Sequence, residues 1–248
     1  MTRNNLKAGE RLDDLQINGY EIIQNPEFFC FGMDAVLLSH YVKAPGDKRI
    51  LDLGSGNGII PIMLAALTRS TFIRGLEIQE ENVDMAARSI AHNGITDRAE
   101  IIKGDIKDAS RIFGASSFDI VVSNPPYMKG GRGLKNEADR RTIARHEVLC
   151  TLEDVVRETS RLLNAGGRFY MVHRPLRLVE IFTLMRQYRI EPKGMRLVYP
   201  YVDKEPNMVL IEGIKDGGEE LRVDKPLIIY EKSGQYTKAL LDIYAGGR

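Results

Sequence analysis

The chain has 248 residues, 43% of them hydrophobic and 28% charged. That composition excludes disordered and fibrous classes and allows one substantial α/β core or two small ones. Thirty-five basic and 34 acidic side chains leave a formal charge of +1, so any affinity for nucleic acid has to come from local clusters.

Read in chain order, the opening MTRNNLKAGERLDD lacks the apolar core of a signal peptide, and no apolar run is long enough for a bilayer. A cytoplasmic location is expected, without membrane or obligate protein partner. The two cysteines, Cys30 and Cys150, stand far apart and suggest neither a disulfide framework nor a metal site. In LQINGYEIIQ, Asn18-Gly19 between apolar/polar alternations predicts a tight hairpin. A short helix follows, with Val36, Leu37, Tyr41 and Val42 at helical spacing and Asp34 as its expected N-cap. From residue 49 strand and helix alternate: RILDLG as strand, 57–69 as helix, TFIRGLEI as strand, 80–93 as helix, then AEIIKGD and FDIVVSN as strands. Strands apolar nearly throughout and joined by helix-length segments predict a parallel sheet covered on both faces. Thr151–Leu163 reads as a helix opened by a Thr-x-x-Asp cap, Gly166-Gly167 leads into the strand RFYMVH, and Pro175 opens another helix. MRLVYPYV and NMVLIEGI, joined by DKEP, read as an antiparallel hairpin at the sheet edge.

The sharpest motif is Asp52-Leu53-Gly54-Ser55-Gly56-Asn57-Gly58, where a strand passes into a helix. Its glycines allow a tight turn that brings a ligand against main-chain N–H groups. A dinucleotide fingerprint would place its third glycine where Ile59 stands. The acid two residues before Gly54 would repel a pyrophosphate, whereas it suits a ligand carrying an ammonium group, such as the methionine end of S-adenosylmethionine. Glu77 closes the second strand, where a carboxylate can accept both ribose hydroxyl protons. Asp105, in Lys-Gly-Asp, is placed to bond an adenine amino group, and Asp108 is close enough in sequence to do so instead.

After the fourth strand comes Ser123-Asn124-Pro125-Pro126-Tyr127. The prolines fix their own backbone and restrict the residue before them, so Asn124 and the carbonyl after it are held at the strand's end. Two acceptors there can take both protons of an –NH₂ group and orient its nitrogen toward a sulfonium methyl. Tyr127 offers a flat face for a planar amide or base. Between Lys129 and His146, six basic side chains face two acidic ones, a local +4. Lys129, Arg132 and Lys135 in its glycine-rich first part are candidate phosphate contacts for a nucleic acid whose target base is flipped into the site. No cluster with metal-ligand spacing is present, and no metal is expected.

The outline of a parallel sheet ending in an antiparallel pair resembles the class I methyltransferase fold, an α/β Rossmann-like sheet. The run DLGSGNG, Glu77, Asp105, NPPY resembles amino-methyltransferases with an N/D-P-P-Y/F signature, which act on adenine, guanine or a protein glutamine. FGMDAVLLSHYV before the glycine loop, ARHE at 144–147 and the C-terminal YEKSGQYTKALLDIY are similar to the tRNA(Val) adenine-N6 methyltransferase family over nearly the whole chain. The resemblance implies S-adenosylmethionine as cofactor and tRNA as partner, with the adenosine beside the anticodon as target. It assigns Asn124, Pro125, Pro126 and Tyr127 to the target amino group, and Asp34, Asp52, Gly54, Gly56, Glu77, Asp105 and Asn124 to the cofactor side. The expected organisation is a single unit, 1–248: an N-terminal hairpin and helix over the cofactor (1–48), the core (49–214) and a C-terminal tail (215–248). The rivals are a release-factor type glutamine-N5 methyltransferase, disfavoured because only some 48 residues precede the first sheet strand, and a non-catalytic cofactor- or RNA-binding protein.

Overall fold

The structure is a computed structural model that describes residues 6–28, 30–126 and 150–245. The chain opens on a hairpin of β1 (Arg11–Asp14) and β2 (Glu21–Gln24). Asn18 and Gly19 are its central turn residues, both at positive φ, with Tyr20 N–H bonded to the Ile17 carbonyl at 2.9 Å. That is the primed turn geometry the Asn-Gly pair favours. Then follow α1 (Met33–Tyr41), β3 (Arg49–Leu53), α2 (Ile59–Leu67), β4 (Phe72–Glu77), α3 (Glu80–His92) and β5 (Ala99–Lys103). A short α4 (Ala109–Phe113) leads to β6 (Phe118–Ser123), and beyond residue 150 come α5 (Leu152–Leu162), β7 (Leu163–His173), α6 (Leu178–Gln187), β8 (Ile190–Tyr199) and β9 (Met208–Lys215).

The central sheet runs β8-β9-β7-β6-β3-β4-β5 across its main strands. Strands β3 to β7 pair in parallel, and β9 lies antiparallel to both β7 and β8. All but β9 therefore end at one carboxyl edge. Alternate side chains feed two cores, as a period of two requires. Ile50, Ile120, Val122, Tyr170 and Val172 face α1, α2 and α3, while Leu51, Val121, Phe169 and Met171 face α4, α5 and α6. Each fully buried aliphatic chain contributes about 1.5–3 kcal/mol, and these rows hold the sheet together.

The structure corrects several expectations in detail. Gly32, not Asp34, is the N-cap of α1; Asp34 sits in the first turn and accepts the Ala35 N–H at 2.9 Å. Pro175 opens a turn of 3-10 helix, and α6 begins only at Leu178. β7 starts at Leu163, ahead of the glycine pair, which forms a bulge against β6 with Gly166 at positive φ. The expected antiparallel hairpin β8-β9 forms at this side of the sheet, and two short strands, β10 (Arg222–Val223) and β11 (Leu227–Ile228), pair in parallel along the outer side of β8. The tail ends in a small hairpin, β12 (Tyr230–Lys232) and β13 (Gln235–Tyr236), and α7 (Lys238–Tyr244). At Thr151 the expected capping box is complete: its hydroxyl accepts the Asp154 N–H at 3.1 Å, and Asp154 accepts the Thr151 N–H at 3.0 Å. Among the described residues no helix is long and apolar enough to cross a membrane.

The N-terminal hairpin is pinned to α3. Arg88 forks onto Glu10 at 2.8 and 2.5 Å and onto Asp84 at 2.7 Å, the Ser89 hydroxyl accepts the Ile23 N–H, and Asn93 bonds both main-chain groups of Glu21. The C-terminal side is held by Glu212 on β9, buried between Arg168, the Tyr170 hydroxyl at 3.1 Å and Arg222.

Candidate active site

The residues singled out in the sequence converge on the carboxyl edge where β3, β4, β5 and β6 end. A ladder of main-chain bonds joins them. Gly54 N–H and Ser55 N–H both reach the Leu76 carbonyl, at 2.9 and 3.0 Å, and Gly104 N–H reaches the Glu77 carbonyl at 2.9 Å. Glu77 closes the ladder with its side chain, accepting Gly56 N–H at 2.9 Å and Gln79 N–H at 2.8 Å. The glycine loop, the acid after β4 and the Gly104-Asp105 turn thus form one braced rim. Each carboxylate oxygen of Glu77 keeps a second lone-pair direction for a ligand hydroxyl.

Asp52 is the site's energetic outlier. It is fully buried, and neither carboxylate oxygen has a hydrogen-bond partner among the described residues. The Ser55 hydroxyl donates to the Asp52 main-chain carbonyl at 3.1 Å. Burial pushes the Asp52 carboxyl up to about 8; Ser55, close by, offsets part of that push and the Glu77 carboxylate adds to it. Buried carboxylates are ordinarily paired. An unpaired one beside a ligand-sized turn fits a cofactor that brings its own cation.

The loop's glycines divide the work. A Cβ on Gly56, which stands at φ +53°, would meet nothing within 4 Å, whereas one on Gly58 would lie 2.8 Å from the Ala86 Cβ. Gly56 faces open space and Gly58 serves the contact between loop and α3. Gly75, inside β4, was not singled out from the sequence, although a glycine within a strand is itself a sign of close backbone approach. A Cβ there would collide with the Ser55 side chain and lie 2.5 Å from Ile101 Cδ1. Gly75→Ala is expected to cost about 1–3 kcal/mol of stability and to weaken cofactor binding by displacing Ser55. Thermal unfolding together with calorimetry checks both effects.

Asp105 accepts the Lys107 N–H at 2.9 Å and so caps a short 3-10 turn, with its second oxygen 3.9 Å from Lys107 Nζ. Asp108 is more exposed and pairs with Arg111 at 3.3 Å. Asp105 is therefore the better placed of the two toward the rim. Asp34, in the first turn of α1, accepts the Ala35 N–H at 2.9 Å.

Asn124 is tied to the loop through its neighbour. The Ser123 hydroxyl, fully buried, donates to the Leu53 carbonyl at 2.8 Å, clamping the end of β6 to the end of β3. The strands pair Asp52 with Val122, and continuing that register by two residues sets Asn124 level with Gly54. Pro125 is buried behind it and Pro126 is exposed. Tyr127 and the basic candidates Lys129, Arg132 and Lys135 lie outside the described residues. The neighbouring end of β7 carries His173, fully buried, whose Nδ1 accepts the Arg174 N–H at 2.8 Å. Burial, helped by the Arg177 cation, lowers this imidazole to about 4, so His173 is neutral at physiological pH and offers no positive charge to the site.

Known proteins share both this geometry and its sequence. Residues 20–188 match the methyltransferase small domain family. The tRNA1(Val) (adenine(37)-N6)-methyltransferase of Porphyromonas gingivalis is 33% identical over 206 residues, covering 81% of this chain and 80% of the relative. The enzyme of the same name from Aeromonas salmonicida is 27% identical over 213 residues, covering 86% and 87%. Among solved structures, a predicted O-methyltransferase from Agrobacterium tumefaciens superposes with a TM-score of 0.71 at 24% identity, over 86% of this chain and 96% of that one. P. horikoshii TYW2 in complex with MeSAdo gives 0.59 at 13%, over 85% and 73%. These two superpositions carry the fold alone, a class I methyltransferase sheet, while the sequence matches carry the family. The chain belongs to the methyltransferase small domain family and, within it, to the tRNA1(Val) (adenine(37)-N6)-methyltransferases.

Proposed function

We propose that this chain, acting as a single catalytic unit, transfers a methyl group from S-adenosylmethionine to the N6 amino nitrogen of adenine 37 in a tRNA(Val). The observation that carries the reading is the Ser123–Leu53 clamp, which sets Asn124 beside a glycine loop backed by an unpaired, buried Asp52. The relatives' shared activity supplies the target.

In this reading Asp52 faces the ammonium group, Glu77 the ribose hydroxyls and Asp105 the adenine edge of the cofactor. Gly54 and Gly56 let the main chain close on it, and Asp34 belongs to the segment over it. Bound there, the cofactor supplies a sulfonium methyl. The Asn124 side-chain oxygen and the following main-chain carbonyl accept the two N6 protons, which holds the nitrogen's lone pair toward that methyl. Pro125 and Pro126 keep this acceptor pair from moving, and Tyr127 stacks on the base. Once methylated, the amino nitrogen releases its surplus proton to water, so no side-chain base is required. Catalysis rests on orientation and on hydrogen bonds to the attacking group. Lys129, Arg132 and Lys135 track phosphates at the entrance.

The test offers the purified protein methyl-labelled cofactor with total tRNA and, separately, with a release factor, then digests each product. Label in N6-methyladenosine is the expected result. Label recovered only as methylglutamine would overturn the substrate, leaving the chemistry of the site intact.

A further inference from the structure

The tail contains an aromatic row that the site described above does not use. Tyr201, Tyr230, Tyr236 and Tyr244 follow one another with ring centroids 5.4, 5.2 and 6.2 Å apart and interplanar angles of 31°, 27° and 34°. The middle pair is stacked and the outer two are tilted. Tyr230 and Tyr244 pack in part against the core, whereas Tyr201 and Tyr236 are outside that packing; the tail's firmest anchors are other residues. Leu227, Ile229 and Leu240, fully buried in the core, hold it to the sheet, aided by main-chain bonds from Ile229 to Tyr199 and from Tyr230 to Pro200. The rings themselves stay partly in water, and Val202 beside Tyr201 is 83% exposed.

Topology puts the head of this row on the edge that carries Asn124. β8 runs in the same direction as β7 because both are antiparallel to β9, and Tyr201 follows the end of β8 as Asn124 follows the end of β6. Three strand spacings, roughly 15 Å, separate the two ends, a distance a few unpaired nucleotides cover. The charge around Tyr201 is not that of a phosphate track: Asp203 and Glu205 flank Lys204, which is itself paired with Asp203 at 3.1 Å. A flat, partly exposed ring backed by Tyr230, the next ring of the row, and bordered by acids suits the uncharged face of a base.

We infer that Tyr201 is a stacking platform for an unpaired base neighbouring the target adenine in the RNA loop, held rigid by Tyr230, Tyr236 and Tyr244. The inference rests on the RNA reading of the site and adds to it a second contact that recognises single-stranded character. Preorganisation matters because a ring already fixed loses little rotamer freedom when a base lands on it.

The experiment measures binding of an anticodon stem-loop at several salt concentrations, and methyl transfer to it, for the wild type and for Tyr201→Phe, Tyr201→Leu and Tyr201→Ala. Stacking on one ring is worth about ten- to a hundredfold in affinity. The leucine and alanine variants are expected to bind that much more weakly and to show a raised KM with kcat and cofactor affinity nearly unchanged. The phenylalanine variant is expected to bind within about twofold of wild type, since the flat face survives. The slope of affinity against salt stays constant, because no phosphate contact is lost. Leucine keeps apolar contact with Tyr230, so it decides the question if alanine lowers the thermal midpoint. Wild-type affinity in the leucine variant, with methylation of tRNA intact, would overturn the platform and leave the RNA reading standing. So would a salt slope that falls along with affinity. A wild-type protein that methylates only the release factor would overturn both.

Discussion

Asp52→Asn is expected to abolish useful cofactor binding while making the protein itself more stable. Both effects come from one buried carboxylate with no hydrogen-bond partner among the described residues. Leaving the other charge of such a pair unmatched costs about 2–5 kcal/mol, so affinity for S-adenosylmethionine should fall by roughly a hundredfold or more. The carboxyl, pushed up to about 8, is protonated in the free protein at neutral pH and must lose its proton to meet a cation. Wild-type affinity therefore rises as pH rises, approaching tenfold per pH unit below about 8 and levelling above it. The stability effect has the opposite sense. The folded-state value lies above the unfolded one, so this group's contribution to stability is complete below the unfolded value near 4 and is lost as pH rises through about 8. Asparagine removes that loss. At pH 8–9 the variant should gain on the order of 5 kcal/mol, at about 2–4 °C of thermal midpoint per kcal/mol, whereas at pH 4–5 the two proteins should differ far less. Calorimetry across pH and thermal unfolding of the free proteins provide the measurements. Undiminished binding by the variant, or a midpoint difference independent of pH, would refute the assignment.

The loss of stability that Asp52 imposes was not legible in the sequence, although its position was. Spacing from Gly54 places the acid at the end of β3, because strand ends and glycine turns are local features. Whether it finds a partner depends on β4 and β6, which come from elsewhere in the chain. The same division recurs through the fold. The Asn18-Gly19 turn and the Thr151–Asp154 box depend on neighbours within a few residues, and both form as read. The alternation of buried strands and amphipathic helices gave the parallel core for the same reason.

What escaped depends on distant pairing. RVDKPLII shows no period and contains a proline, yet its two short strands lie on β8 because that strand's outer side would otherwise be an open row of main-chain groups. Glu212 inside an apolar strand is intelligible only once Arg168 and Tyr170 of β7 are seen beside it. Gly75 carries a visible sign, a glycine within a strand, but its reason is the Ser55 side chain of another strand's loop. Asp34 was misplaced as a cap by a shorter-range error: helix boundaries shift by a residue or two, and Gly32 already supplies the extended backbone the cap position needs.

Asn124→Ala should separate chemistry from binding more cleanly than any other change at this site. Asn124 follows β6 and is proposed to face the target, while the other groups proposed to hold the cofactor follow or lie on β3, β4 and β5, so cofactor affinity should stay within a few fold. Turnover should drop by about a hundredfold or more, the scale of removing one positioned hydrogen-bond group at a reacting centre. Part of that loss is orientation: with one acceptor gone, the amino group can rotate, and its lone pair returns to conjugation with the ring. Asn124→Asp keeps an oxygen acceptor at nearly the same volume, so it is expected to retain activity within roughly tenfold of wild type. Single-turnover rates with saturating RNA and cofactor check both variants, with calorimetry for the cofactor. If alanine lowered cofactor affinity and turnover together while aspartate rescued neither, Asn124 would be bracing the β3–β6 clamp. The acceptor for the amino protons would then have to be sought elsewhere on the rim.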